Sequence, residues 1–167
     1  MMLVDTNGKF ITQRTRPELT RFEVFLKGNK VVVKDKISEQ TLEIEFEDFN
    51  NHLETVQIWD DEVNQVLLNA KASFWFSEVL SEKMFLVKMN YNYNRTISQK
   101  HITEYSNFTS FADSLPILLC TSASFKEVEK DYGTFDWLRF RPNIIVENDL
   151  GFEEDSWDIL EISSLVL

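Results

Sequence analysis

The sequence predicts an α+β fold with a strongly β-rich core, and three observations carry that expectation. Short runs of alternating apolar and polar residues recur through the first ninety positions, separated by turn residues, as in an antiparallel barrel or sandwich. The stretch from Asp60 to Leu80 places apolar residues at helical spacing, and a capping box opens a second helix from Ser124 to Tyr132. The composition is that of a globular protein, 43% hydrophobic and 27% charged, and 167 residues suffice for one good-sized core or two small ones.

Met1 to Val4 reads as a strand, and Asp5-Thr6-Asn7-Gly8 as a tight turn returning into a second strand over Lys9 to Thr12. Pro17 ends that strand, because it cannot donate to a ladder and restricts Arg16 to extended geometry. Arg21 to Leu26 alternates, with Phe22, Val24 and Leu26 on one face, and Lys27-Gly28-Asn29-Lys30 turns the chain into Val31-Val32-Val33. Leu42, Ile44 and Phe46 face inward while Glu43, Glu45 and Glu47 face out. A glutamate row could hold a metal, but on one face of a strand it is far more often a solvated edge that discourages aggregation.

Glu54 to Trp59 is a further strand. Asp60-Asp61 supplies N-cap chemistry for a helix through Val63, Val66 and Leu67, restarting over Ala72 to Leu80 with Phe74, Trp75, Val79 and Leu80 in the core. Met84 to Met89 closes the region as a strand. The polar, weakly patterned stretch Asn90 to Asn107 marks a soft boundary, giving domains over residues 1–90 and 91–167.

In the second half, Pro116 precedes a buried strand over Ile117 to Thr121, with Asp113 and Ser114 at its mouth. Short polar residues there either bind ligands or only cap a turn. Ser124-Phe125-Lys126-Glu127 reads as a capping box, and Gly133 ends its helix. Cys120, the only cysteine, reads as a small buried hydrophobe, with no disulfide partner and no zinc cluster possible. His52 and His101 lack ligand or triad spacing.

The densest chemistry lies in Arg139 to Val146. As an extended segment it aligns Arg139, Arg141 and Asn143 on one face, backed by Phe140, Pro142 and Ile144. Two guanidinium forks and an amide suit a phosphate or another oxyanion. On residue chemistry alone, ordinary pairing with some of the 28 acidic residues is the stronger reading. A net charge of −11 argues against nucleic-acid and anionic-lipid partners, and no run of apolar residues reaches membrane length. A cytoplasmic protein is the expectation.

Several stretches in order resemble the MOSC family. Met2 to Pro17 and Val56-Gln57-Ile58-Trp59-Asp60 resemble its N-terminal β-barrel domain. Phe111 to Leu118, Thr121-Ser122-Ala123-Ser124, Phe140-Arg141-Pro142-Asn143-Ile144 and Glu154-Asp155-Ser156-Trp157 resemble signatures of the MOSC domain itself. The chain is similar in kind to the mitochondrial amidoxime-reducing component and its bacterial counterparts.

The resemblance implies an N-terminal β-barrel followed by an incomplete MOSC barrel with short helices. It also implies a molybdenum cofactor, a phosphate-bearing pterin dithiolene, and two-electron reduction of small N-hydroxylated substrates. A ferredoxin or flavoprotein would supply the electrons.

Carried over by position, Arg141 and Asn143 are the cofactor-binding candidates, with Ser114 and the preceding Asp113 lining the same pocket. Arg139 has no counterpart. The family's Lys-Ser segment would lie before Met1 and its molybdenum-ligating cysteine after Leu167, so the resemblance leads to the expectation of a chain incomplete at both ends. The alternative is a non-catalytic pterin-binding or sulfur-carrier module, or an inactive fragment.

Overall fold

Asp5 organises the first turn of the computed structural model: its Oδ1 accepts the backbone N–H groups of Asn7 and Lys9 at 2.8 and 2.9 Å. Strand β1 (Met2–Val4) enters this turn, and Gly8 leaves it at a φ of +77°, where a Cβ would stand 2.9 Å from the Thr55 carbonyl oxygen. Only glycine lets the two backbones approach so closely. The expected second strand over Lys9 to Thr12 reduces to two isolated bridges, Val4 to Phe10 and Lys9 to Gln57.

The structure describes residues 1–49, 53–93, 95–97, 107–112, 115–162 and 165–166. The chain divides into two compact units, Met1–Arg95 and Thr96–Leu167.

In the first unit, β2 (Phe22–Lys27), β3 (Lys30–Asp35) and β4 (Thr41–Glu45) form a three-stranded antiparallel sheet in that order. A second antiparallel sheet runs β1-β7-β6-β5, from β5 (Leu53–Ile58), β6 (Asp61–Asn69) and β7 (Phe85–Met89). Helix α1 (Ala70–Leu80) joins β6 to β7. Val33, Leu42, Ile44, Phe49, Ala72, Phe76, Met84 and Leu86 make one buried cluster that takes side chains from both sheets and from α1.

The helix expected from Asp61 through Leu67 is strand β6 instead. The apolar spacing misleads because β6 carries a bulge. Glu54 pairs with Val66 and Val56 with Val63, so Asn64 and Gln65 together oppose Thr55. Gln65 takes a left-handed φ of 59°. The extra residue brings Val63 and Val66, three apart, both to zero exposure, which imitates a helical stripe. The helix begins only at Ala70, where the Asn69 side chain accepts the Ala72 N–H at 2.8 Å. Phe74, expected in the core, is 68% exposed, and the neighbouring Phe76 is the buried aromatic, edge-on to Phe22 at 5.3 Å.

Buried polar groups in this unit are paired. The Ser73 hydroxyl donates to the Asn69 carbonyl and accepts the Leu86 N–H, at 2.6 and 2.8 Å. The fully buried Asp35 accepts Nε and Nη2 of Arg21 at 2.6 Å each, the Ser38 hydroxyl, and the N–H groups of Ile37 and Ser38. The Arg21 guanidinium, outweighing the burial, holds the Asp35 carboxyl far below the usual carboxylate range. Lys88 is 8% exposed, donates to the Phe46 carbonyl and sits over the rings of Phe49, Tyr91 and Phe46 at 4.9, 5.1 and 5.7 Å.

The second unit is built on β10 (Leu119–Thr121), α2 (Ser122–Tyr132) and β11 (Ile144–Val146), with β10 and β11 parallel. It follows short strands β8 (Arg95–Thr96), at the division, and β9 (Phe108–Thr109). A final antiparallel pair is β12 (Glu161–Ile162) with β13 (Leu165–Val166). The strand expected over Ile117 to Thr121 is shorter, and Ile117 and Leu118 are 40% and 45% exposed rather than buried. Phe125, 4% exposed, stacks on Trp137 at 4.9 Å and meets Phe135 and Phe140.

Two predictions follow from the first unit's interior. Phe76→Ala lowers stability by about 3–5 kcal/mol in denaturant unfolding, since it removes the aromatic at the centre of the cluster. Asp35→Asn lowers the unfolding midpoint at neutral pH. Because the Asp35 carboxyl is depressed in the folded state, its contribution is present above the unfolded carboxylate pKa and declines as pH falls below it. Unfolding midpoints followed from pH 7 to pH 3 therefore fall less steeply for Asp35→Asn than for the parent.

Candidate functional site

Arg139 to Asn143 does not form the extended row expected. Trp137–Phe140 is a 3-10 turn, capped by the Asp136 carboxylate on the Leu138 N–H at 2.9 Å. Arg141 closes it in the left-handed region at φ 56° and ψ 44°, its N–H donating to the Leu138 carbonyl at 2.9 Å. Extended alternation begins only at Ile144, so Arg139 and Arg141 do not share a strand face. The physical reason is the aromatic cluster: curling the chain there folds Phe140 back to 5.7 Å from Phe125 and 5.5 Å from Phe135.

That turn leaves Arg141 well placed for an anion. Its side chain is exposed and makes no ion pair or hydrogen bond to any described residue, although the chain is strongly acidic. Its left-handed backbone is rare for a residue with a Cβ, the more so before a proline, and is held by the 3-10 turn before it. Arg139 is likewise exposed, and the acidic pairing expected for these arginines is not seen among the described residues.

Asn143 is structural on one side. Its Oδ1 accepts the Leu118 N–H at 2.8 Å, and its own N–H donates to the Leu118 carbonyl at 2.8 Å. This clamp starts the β10–β11 ladder one residue before the first paired residues, Leu119 and Ile144. The amide NH2 remains as a donor beside Arg141. Asp113 and Ser114 lie outside the described residues, as do His52 and His101.

Two other stretches singled out in the sequence meet at the N-terminus of α2. Thr121, not Ser124, is the cap: its Oγ1 accepts the Ser124 N–H at 3.2 Å, and the expected capping box at Ser124 is not formed. Glu154 Oε2 accepts the Ser124 and Thr121 hydroxyls at 2.8 and 3.0 Å. Ser124 Oγ also accepts the Phe152 N–H at 2.7 Å, and Asn148 Oδ1 accepts the Ala123 N–H at 3.2 Å. Burial pushes the Glu154 carboxyl up, but the hydroxyls and backbone N–H groups around it outweigh that and leave it below its usual range. The helix N-terminus favours the same charge.

Cys120, half-buried in β10, is the opposite case. Burial first, and then the Glu154 charge, push its thiol up, so it stays protonated at neutral pH. The glutamate row is paired across strands: Glu43 with Lys27 and Lys30 at 3.4 Å, and Glu45 with Lys30 at 2.7 Å. Among the described residues no group of three or more His, Cys, Asp or Glu could hold a metal ion, and no helix is long and apolar enough to cross a membrane. A cleft of about 670 Å³ against α1, lined by Ser73, Phe74, Ser77 and Met84 among others, contains none of the expected site residues. The aromatic-boxed Lys88 is a feature sequence reasoning missed, because nothing in Phe85 to Met89 marks its lysine as buried.

Comparison with known proteins agrees with this architecture. Residues 1–83 match the family model described as the MOSC N-terminal beta barrel domain. Residues 1–83 are thus those of a MOSC N-terminal β-barrel domain. Over 98% of its length it is 28% identical to the human molybdenum cofactor sulfurase, of which it covers 21%. It is 26% identical to mitochondrial amidoxime reducing component 2 from Macaca fascicularis over 99% of its length, and to the human protein of that name over 98%, covering 50% of each. The chain thus spans about half the length of the amidoxime reducing components it matches and about a fifth of the sulfurase.

Asn143→Ala removes the side-chain half of the Leu118 clamp. It costs the second unit about 1 kcal/mol, read as a lower unfolding midpoint and faster hydrogen exchange at Leu118 and Leu119.

Proposed function

We propose that this chain is part of a molybdenum-cofactor-binding MOSC protein, and that the complete protein is an oxidoreductase reducing N-hydroxylated compounds. The observation that carries the reading is Arg141: an exposed guanidinium, unpaired among the described residues, held in a constrained left-handed conformation beside the Asn143 amide. The amidoxime reducing components among its relatives support the reaction class, and the sulfurase supports the cofactor.

The residues present fit one end of such a cofactor. Arg141 would clamp the pterin's terminal phosphate through its planar fork, and the Asn143 NH2 would donate to the same group or to the ring. Cys120 does not fit the other end, because a soft metal takes a thiolate and this thiol is held protonated beside a carboxylate. When bound, the cofactor would supply the two-electron chemistry. The role of this chain's residues is to bind and orient it. The preformed Arg141 turn makes that inexpensive, since little backbone freedom is lost on binding. Asp113 and Ser114 remain candidates for the same role through the resemblance alone, and the electrons would come from a ferredoxin or flavoprotein to a small-molecule substrate.

The sulfurase relative favours a second reading, a sulfur-handling or non-catalytic pterin-binding module. A sulfur carrier needs a nucleophilic thiol, and the protonated Cys120 argues against this chain supplying it.

The test is expression in a host that makes the cofactor, followed by molybdenum analysis and fluorescence of the released pterin. Arg141→Ala is expected to lose at least about tenfold in bound pterin while its circular dichroism and unfolding midpoint stay unchanged. Pterin retained at parental levels would remove Arg141 from the site.

A further inference from the structure

Strand β2 has an open edge and an apolar surface that its own sheet does not cover. It is the outer strand of the β2-β3-β4 sheet, with no second neighbour among the described residues. Val24, Phe25 and Leu26 are 62%, 45% and 72% exposed. Exposed strands of this kind are pairing templates unless something occupies them.

The sequence of the strand says what fits. Lys27 pairs with Lys30 around the two-residue Gly28-Asn29 loop, with Gly28 at φ 62°. Such a loop makes Lys27 and Lys30 a hydrogen-bonded pair, so Lys27, Phe25 and Glu23 direct their backbone groups toward β3. Val24 and Leu26 therefore aim theirs at the open edge. A second β2 running antiparallel must oppose outward residues to outward residues, which leaves few symmetric registers. Centred on Val24, Glu23 faces Phe25 and Phe22 faces Leu26. Centred on Leu26, Phe25 faces Lys27. Centred on Phe25, Val24 faces Leu26 in hydrogen-bonded pairs, Phe25 faces Phe25, and Glu23 faces Lys27 on both sides. Only this last register matches Val24, Phe25 and Leu26 with apolar residues and both Glu23 and Lys27 with their opposites, Phe22 falling opposite the loop residue Gly28. The Lys27 side chain is 71% exposed despite its 3.4 Å contact with Glu43, and Glu23 is exposed, so both are accessible to a partner.

We propose that a second copy of this chain docks on β2, extending the two three-stranded sheets into one six-stranded antiparallel sheet across a two-fold axis at Phe25. The register is dictated by the Glu23-Val24-Phe25-Leu26-Lys27 palindrome of charge and hydrophobicity.

Sedimentation velocity of the full chain over a concentration series tests this. The parent chain is expected to dimerise. Glu23→Lys and Lys27→Glu each convert two attractive pairs into like-charge pairs and should weaken the dimer at least about tenfold. The double variant Glu23→Lys/Lys27→Glu restores it, and so does an equimolar mixture of the two single variants. Leu26→Lys, at an exposed position the monomer does not need, gives a folded monomer by circular dichroism. A parent chain that is monomeric at 100 μM would overturn the proposal, as would single reversals that leave the dimer unchanged or a double variant no tighter than the singles.

Discussion

Both units depend on one device, a strand whose last residue is itself the cap of the next helix. In the first unit Asn69 ends β6, is 1% exposed, and binds the Ala72 N–H with its side chain while its carbonyl takes the Ser73 hydroxyl. In the second, Thr121 ends β10 with zero exposure and caps α2 through Ser124. With no loop between strand and helix, the helix direction is set by the strand. Its orphan N–H groups must be satisfied by residues already buried in the sheet. Ser73 then reaches β7 through Leu86, and Ser124 reaches the Phe152–Glu154 segment, so each helix is tied to its sheet by a hydroxyl as well as by apolar packing.

The polar side of the design explains what the MOSC-like signatures do locally. Thr121, Ser124 and Glu154 spend their side chains on one another and on the backbone. Asn143 spends half of its amide on Leu118. The exposed Arg141 side chain has no such employment among the described residues, so it takes no part in building that frame.

Strand β4 was legible because its burial follows period two: Leu42 and Ile44 in, Thr41 and Glu43 out. The N-terminal barrel resemblance was legible through the stretches that carry it, Met2 to Pro17 and Val56 to Asp60. Three features were not. The helix expected at Asp61 failed because a bulge shifts the alternation by one residue, and no local residue type announces it. The extended row at Arg139 failed because contacts among Phe125, Phe135 and Phe140, which no local alternation announces, curl that segment. The capping box at Ser124 failed because Thr121, three residues earlier, offers the same chemistry with better burial. Arg141 was singled out through the matched motif alone, and nothing in the local residue types announces its left-handed conformation.

The bulge in β6 also decides how this sheet can change in length. In a regular strand, losing one residue sends every later side chain to the opposite face. At Asn64 and Gln65 the arithmetic reverses: removing one of them would restore simple alternation and leave Val63 and Val66 both inward. The penalty would be local, the hydrogen bond from the Asn90 N–H to the Gln65 carbonyl at 3.2 Å and some of the twist that β6 carries toward α1. The surplus residue is an expansion joint, the position in β6 where a one-residue deletion leaves the interior facing the same way.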